Sequence, residues 1–187
     1  MKILICGDSF AADWTVKYTG NGWPNLLANQ FIVKNIAQAG CSQYKIYKQL
    51  LSENLNNFDC IIVSHTSPYR IYVKDHPIHK NDILHNNSDL IYADVKEHQL
   101  DSVVDFFENY FSFEYAEFVH NLICEKVDNL NINQVIHITH FNWDRLYKFN
   151  NMINFQEVFE KHQGLINHYN EIGNDLVFKR LLKEIYD

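Results

Sequence analysis

Short apolar runs alternate with longer amphipathic stretches along this chain, and the alternation predicts strands separated by helices. Apolar runs rich in β-branched residues predict four buried strands, at residues 2–6, 31–33, 59–64 and 134–139. Apolar residues at helical spacing, or a proline in a first turn, predict helices at residues 23–28, 44–55, 100–127 and 170–186. Strands that alternate with helices pair in parallel. The pattern therefore predicts an α/β protein, a three-layer α/β/α sandwich around a central parallel sheet.

The segment at about residues 65–99 interrupts this alternation. It contains Pro68, Pro77 and several asparagines, with only short apolar runs such as residues 91–92. A connection of roughly 35 residues is long for a compact domain, and such loops are often lids or binding loops. We expect a single domain over residues 1–187, in which this irregular insertion covers or borders the pocket and sets specificity.

Composition and charge exclude several classes of protein. The chain has 187 residues, of which 47% are hydrophobic, so it can bury a sizeable core and is not disordered. Its 16 Lys and Arg against 23 Asp and Glu give a net charge of −7, which disfavours nucleic acid as a partner. The first apolar run is too short for a signal peptide or a membrane span. We expect a cytoplasmic protein that binds neither nucleic acid nor membrane.

The cysteines and histidines give no sign of a metal or cofactor. The four cysteines form no CxxC pair, which is typical of reduced core residues. Dinucleotide and triphosphate glycine signatures are absent from the sequence. Pro77 separates His76 from His79, which breaks helical ligand spacing, and no carboxylate or cysteine completes an obvious set with them and His85. We therefore predict no metal and no cofactor.

Candidate chemistry lies where the predicted strands end, because functional residues gather at the carboxyl edge of an open parallel sheet. Gly7-Asp8-Ser9 follows the first strand, Gly40 the second, residues 65–67 the third and His140 the fourth. A serine in such a turn exposes its Oγ beside backbone N–H groups, although Ser9 taken alone is also a candidate helix N-cap. His168 precedes a turn and the last helix, a place suited either to a rigid general base or to a helix-capping surface histidine.

Together these features resemble the SGNH (GDSL-type) hydrolases. The matching blocks are Gly7-Asp8-Ser9, residues 35–40 ending in Gly40, and His168 followed five residues later by Gly173 and an apolar helix. The resemblance implies a sheet in flavodoxin-like order. It also implies that Ser9 is the nucleophile and His168 its base, while the N–H groups of Ser9 and Gly40 form an oxyanion hole.

Two positions depart from the pattern of that family. Its third block carries an oxyanion asparagine, and here Ser67 stands at that position with Thr66 beside it. We expect Ser67 to donate through its hydroxyl, with Thr66 as the neighbouring option. The family's acid lies three residues before the histidine, where this chain has Leu165. His168 must then be oriented by a carbonyl or a carboxylate from elsewhere.

The predicted function is a serine esterase or acyl transferase that acts through an acyl-enzyme on Ser9. The resemblance implies a small acyl ester as substrate, such as an O-acetylated carbohydrate. Asp8, Arg70 and His140 are accessory candidates: Arg70 to pair with an acidic substrate group or a surface carboxylate, and His140 to reach the site or to be a hydrogen-bonded strand-end residue. The alternatives are a catalytically degenerate SGNH-like domain that binds a ligand or partner, and a nucleotide- or flavin-binding protein. The sequence carries no signal of oligomeric state.

Overall fold

A five-stranded parallel sheet forms the centre of the protein. The computed structural model describes residues 1–130, 132 and 134–186. The strands of the sheet are β1 (Lys2–Gly7), β2 (Ile32–Asn35), β3 (Cys60–Ser64), β4 (Val135–Thr139) and β5 (Met152–Asn154). All neighbours pair in parallel, in the order β2-β1-β3-β4-β5. This is the flavodoxin-like order, so the predicted fold class is confirmed.

Helices cover both faces of the sheet. They are α1 (Trp23–Ala28), α2 (Gln43–Leu51), α3 (Tyr92–Glu97), α4 (Asp101–Asn109), α5 (Phe113–Asp128), α6 (Gln156–Lys161) and α7 (Glu171–Tyr186). The contacts between helices pair α1 with α7 and α2 with α5. Across the described residues, no helix combines the length and the apolar character that a membrane crossing requires.

The side-chain alternation of β1 divides the core into two layers. Ile3 and Ile5 pack in one cluster with residues of α1 and α7. Leu4 and Cys6 pack in the other cluster, with residues of α2 and α5. Because successive side chains of a strand point to opposite faces, the fully apolar run of β1 matches a strand covered on both sides. The layers are those of the predicted three-layer sandwich.

The structure differs from the predicted elements in the second half of the chain. The helical stretch expected at residues 100–127 is divided into α4 and α5, because Ser112 caps α5 by accepting from the N–H of Tyr115 at 3.2 Å. The segment 65–99 is irregular up to its end, where α3 forms. The short edge strand β5 and helix α6 were not predicted, since three strand residues and six helix residues carry too little periodicity.

The cysteines are core residues, as predicted. All four are buried and none forms a disulfide. Burial raises the pKa of the Cys41 and Cys60 thiols to about 12. The thiols therefore stay protonated at neutral pH, which makes them poor nucleophiles and poor metal ligands.

Candidate active site

Ser9 follows β1 in a turn that is fixed by its neighbours. Gly7 lies so close to β3 that a Cβ there would be 2.6 Å from Cβ of Ser64. The side-chain amide of Gln49 on α2 accepts from the Gly7 N–H at 2.8 Å and donates to the Gly7 carbonyl at 3.1 Å. The strand therefore ends at a position that helix α2 sets, directly before the serine.

Two indole rings hold the turn beyond Ser9. Trp14 Nε1 donates to the carbonyl of Ser9 at 2.8 Å, and Trp23 Nε1 donates to the carbonyl of Phe10 at 2.7 Å. Oδ1 of Asp8 accepts from the Phe10 N–H at 3.0 Å. The next helical turn is a 3₁₀ turn that begins only at Trp14. Ser9 therefore caps no helix, and the N-cap alternative is wrong.

His168 lies in a tight loop before α7. The Gly164 N–H, in the short strand β6 (Gln163–Ile166), donates to the carbonyl of His168 at 3.2 Å, and the Asn170 N–H donates to that of His162 at 2.8 Å. Asn167 and His168 have left-handed backbones, with φ of 50° and 63°. Asparagine and histidine both occur in that conformation more often than most residues, yet it costs of order 1–3 kcal/mol for any residue other than glycine. Such a cost persists only where the surroundings fix the backbone.

Asn167 and Asn174 fix that loop against the serine turn. The amide of Asn167 donates to the carbonyl of Ala12 at 2.7 Å. A Cβ at Gly22 would lie 1.6 Å from Oδ1 of Asn167, so only glycine admits this side chain. Asn174 on α7 donates to the carbonyl of Ile166 at 3.0 Å. Neither asparagine is predictable from local pattern, because the partners of Asn167 and Asn174 in the first helix and turn are distant in the chain.

The structure brings Ser9 and His168 together. Nε2 of His168 lies 2.8 Å from Oγ of Ser9. The imidazole packs against the rings of Phe10 and Trp14, with centroids 4.5 and 5.3 Å away. Burial lowers the pKa of His168 to about 4, and the positive charge of Arg70 adds to the effect. The imidazole is therefore neutral at pH 7, and its Nε2 can accept the serine proton.

No acid completes a Ser-His-acid triad within the part of the chain that the structure describes. Leu165, at the expected position, is 75% exposed and points no polar atom at the site. Within the described residues, Nδ1 of His168 has no hydrogen-bond partner, so neither a carboxylate nor a carbonyl orients it. The ring is instead positioned by its aromatic neighbours and by its own backbone.

Two residues of the same cavity have backbone N–H groups without a protein acceptor in the described part of the chain. Gly40 has a φ of 76°, and a Cβ there would lie 2.4 Å from Cβ of Ser88. Among the described residues, the N–H groups of Ser9 and Gly40 donate to no protein acceptor. Both residues line a cavity of about 480 Å³, together with His168. Free N–H groups beside a nucleophile can receive an oxyanion.

The insertion forms much of the wall of this cavity. Seven of the thirteen lining residues come from the segment 65–99. They are Arg70, His79, His85, Ser88, Asp89, Ile91 and Asp94. The segment therefore borders the pocket, as expected from its place after β3.

Ser67 and Thr66 do not reach the cavity. Ser67 lines neighbouring cavities, and its Oγ accepts from the N–H of Tyr69 at 3.4 Å. Thr66 is buried, and its carbonyl accepts from Nε2 of His120 at 2.9 Å. The expectation that Ser67 replaces the family's oxyanion asparagine is therefore corrected, because that hydroxyl lies outside the cavity of Ser9.

Arg70 lies in the site and is largely buried. Its side chain is 9% exposed, and Nη2 lies 3.6 Å from Oδ2 of the fully buried Asp8. Nε and Nη1 of Arg70 are buried without a hydrogen-bond partner in the described part of the chain. The expected pairing with a surface carboxylate is wrong, since Asp8 is internal. Burial raises the pKa of Asp8, and the charge of Arg70 opposes that shift.

His140 is a buried residue that contacts Phe10, the residue directly after Ser9. Its Nε2 lies 3.2 Å from Oγ of Ser64, and its Nδ1 hydrogen-bonds to the hydroxyl of Tyr169. Its ring stacks on Phe10 with centroids 4.2 Å apart. Burial holds the pKa of His140 well below its usual value. His140 is thus a neutral, hydrogen-bonded strand-end residue that packs on Phe10, which was the favoured interpretation, and it does not line the cavity as the alternative required.

One group in the insertion has the residue types of a metal site. The ligand atoms of His76, His79 and Asp94 lie within 4.8 Å of one another. Sequence analysis missed Asp94, which lies 15 residues beyond His79. Nδ1 of His76 accepts from the N–H groups of Ile78 and His79, both at 3.2 Å. The proton of a neutral His76 is therefore on Nε2, which faces Asp94 at 3.5 Å and offers a metal no lone pair. His79 hydrogen-bonds to Asp94 at 2.9 Å, and the tautomer of His76 argues against its use as a ligand.

Comparisons with known proteins gave similarity in structure only. No protein-family model and no curated protein matches the sequence. One similar structure is a protein from Desulfitobacterium hafniense DCB-2 described as lipolytic and of the G-D-S-L family. It has 14% identity and a TM-score of 0.46, over 98% of each chain. Another is a catalytic mutant of an acetylxylan esterase from Geobacillus stearothermophilus. It has 12% identity and a TM-score of 0.40, over 98% of this chain and 93% of the other.

Proposed function

We propose that this protein is a serine esterase or acyl transferase in which Ser9 carries the acyl group. The observation that carries this proposal is the 2.8 Å contact between Oγ of Ser9 and Nε2 of His168 at the wall of an open cavity. A serine hydroxyl becomes nucleophilic when a neutral base accepts its proton. The lowered pKa of His168 keeps that base neutral at physiological pH.

The first half-reaction transfers the acyl group to the protein. Oγ of Ser9 attacks the ester carbonyl while Nε2 of His168 takes its proton. The carbonyl π electrons move to oxygen, where the N–H groups of Ser9 and Gly40 receive the negative charge. The intermediate then collapses, and the leaving alkoxide takes the proton from His168. In the second half-reaction, water or an acceptor alcohol releases the acyl group by the reverse sequence.

The proposed substrates are small acyl esters such as O-acetylated carbohydrates. A cavity of about 480 Å³ has the size of a site for one small molecule. Its wall combines the rings of Phe141 and Phe159 with polar side chains from His79, His85 and Asp94. Aromatic faces and polar side chains in combination suit a ligand with both apolar faces and hydroxyl groups.

A serine probe tests the proposal directly. We expect a fluorophosphonate probe to label the wild-type protein and p-nitrophenyl acetate to be hydrolysed. Both signals should be lost in Ser9→Ala, because the attacking oxygen is removed. Ser102→Ala, a change at an exposed serine of α4, should leave both signals intact. Equal labelling and equal turnover in wild type and Ser9→Ala would refute the esterase.

A second candidate function is a binding domain without catalysis. The missing partner at Nδ1 of His168 and the exposed Leu165 favour it, because an unoriented histidine is a poor general base. The open cavity is compatible with both functions. Saturable binding of an acetylated sugar by wild type and Ser9→Ala alike, without hydrolysis by either, would support the binding domain over the esterase.

A further inference from the structure

The guanidinium of Arg70 is buried beside the nucleophile with part of its hydrogen-bonding capacity unused. Its side chain is 9% exposed, while Nε and Nη1 have no partner among the described residues. Leaving a buried charged donor unsatisfied costs free energy, so such groups usually meet a ligand or mark a functional site. Nη2 is not one of these buried atoms, and Arg70 lines the cavity of Ser9, so Nη2 is the part of the guanidinium that a ligand can reach.

The position of Arg70 is coupled to that of Ser9. Nη2 lies 3.6 Å from the carboxylate of Asp8, the residue directly before the nucleophile. Arg70 lines the same cavity as Ser9, Gly40 and His168, whereas Ser67 does not. Its charge also acts on the imidazole of His168. A fixed cation therefore lines the cavity in which negative charge would develop during attack by Ser9.

We propose that Arg70 is a catalytic residue that donates an N–H to the oxyanion, in place of the side-chain donor that Ser67 fails to supply. This inference rests on the proposed esterase function. As the bond between Oγ of Ser9 and the acyl carbon forms, the carbonyl π pair moves to oxygen and the proton of Ser9 moves to His168. Arg70 stays protonated throughout and donates to that oxygen. When the intermediate collapses, the pair returns to the carbonyl and the alcohol leaves with the proton from His168.

The carboxylate of Asp8 allows the positive charge of Arg70 to be buried. Before the reaction, Asp8 and Arg70 compensate each other's charge, so no net charge is buried. During the reaction, the new oxyanion and the new imidazolium also sum to zero. The 3.6 Å separation is longer than a close ion-pair hydrogen bond, which leaves the guanidinium able to serve a second acceptor.

Neutral and anionic substrates separate this role from substrate binding. We would compare p-nitrophenyl acetate with the p-nitrophenyl half-ester of succinic acid, in wild type, Arg70→Gln and Arg70→Lys. An oxyanion donor acts on both substrates, so kcat should fall by about 100- to 1000-fold in Arg70→Gln on each. KM should change little, and Arg70→Lys should recover part of the loss. Arg180→Gln, at an exposed arginine of α7, is the matched control.

A boronic acid provides a second measurement. Phenylboronic acid forms a tetrahedral anionic adduct with an active serine, and its inhibition constant should rise in Arg70→Gln in proportion to the loss of kcat/KM. Arg70→Gln leaves Asp8 unpaired and buried, so the double variant Asp8→Asn/Arg70→Gln is measured as well. Folding of each variant is checked by circular dichroism, and the rate loss should persist in the folded double variant.

The possible results distinguish failure of the proposed role of Arg70 from failure of the proposed esterase function. A rise in KM confined to the succinate half-ester would mean that Arg70 binds a substrate carboxylate, and unchanged kcat on both esters would mean that it has no catalytic role. Either result overturns the inference while Ser9-dependent turnover of the wild type stands. If wild type and Ser9→Ala do not differ, the esterase itself fails and the role of Arg70 fails with it.

Discussion

At the scale of single residues, His168 is the proposed base, and no acid orients it among the described residues. In a complete triad the acid fixes the tautomer of the histidine and stabilises the imidazolium. Here the contact from Ser9 at 2.8 Å and the rings of Phe10 and Trp14 hold the imidazole in place. These contacts provide orientation but no negative charge. The imidazolium formed during attack is therefore less stabilised than in a triad, and we expect modest turnover.

The protonation of His168 gives a prediction for the pH dependence of activity. The pKa of about 4 means that the base is neutral above that value and protonated below it. We therefore expect kcat/KM to stay constant from about pH 8 to about pH 5 and to fall tenfold per unit below about pH 4. An inflection near the usual histidine pKa of about 6.5 would contradict the buried position of the ring.

The cause of that shift has its own test. Burial is the larger cause, and the electrostatic effects of Arg70 and then of His85 add to it. Removing one positive charge weakens the repulsion of the imidazolium, so the pKa of His168 should be higher in Arg70→Gln than in wild type. Proton NMR titration of the His168 ring measures it independently of turnover. An unchanged pKa would place the guanidinium out of electrostatic range of the base.

At the scale of elements, Asp89 attaches the insertion to the rest of the protein. Its buried carboxylate accepts from the N–H of Ser42 at 2.7 Å and from that of Val73 at 2.9 Å. It also lies 3.0 Å from Nζ of Lys45 on α2. One carboxylate thus joins the start of α2 to Val73 and to residue 89 of the irregular segment. The cavity wall keeps its shape through these contacts, since the segment has little regular structure of its own.

The contacts of Asp89 predict that a variant without its carboxylate is less stable than the wild type. Removing one partner of a buried ion pair leaves the other uncompensated, so Asp89→Ala should lower the free energy of unfolding by on the order of 3 kcal/mol. Asp175→Ala breaks an exposed pair with Lys179 on α7 and should cost less than about 1 kcal/mol. Urea unfolding monitored by circular dichroism measures both. Equal small losses of unfolding free energy in the two variants would show that the contacts of Asp89 do not stabilise the fold.

At the scale of the whole molecule, the sequence predicts the strands and site residues that depend on the local pattern of apolar and polar positions. Buried strands have continuous apolar runs, so β1 and β3 were found, and residues that directly follow strands, such as Ser9 and Gly40, were placed at the site edge. Arg70 was an accessory candidate whose partner stayed open, and Asp94 was not predicted, because both lie in a segment without periodicity. Their positions depend on contacts with Asp8 and His79, which only the folded chain brings near.

Many buried histidines make the stability of the whole fold sensitive to acid. Burial lowers the pKa of His120, His137 and His168 to about 4, and holds that of His65 and His140 well below the usual value. His65 and His137 also face each other at 2.9 Å, so they cannot both be protonated in place. In the unfolded chain each imidazole titrates near its ordinary value of about 6.5. Between the two values the unfolded state binds more protons than the folded state.

The free energy of unfolding should therefore decrease as the pH falls from about 6.5 towards about 4, by up to about 1.4 kcal/mol per pH unit for each such histidine. The raised pKa of Asp8 acts in the opposite direction, but it is one group against several. Urea unfolding at a series of pH values measures the slope, and His137→Gln should make it shallower by about one proton. A free energy of unfolding that stays level or rises over this range would mean that these imidazoles are hydrated in the folded protein, and the packing of His65 and His137 against Phe149 would then be wrong.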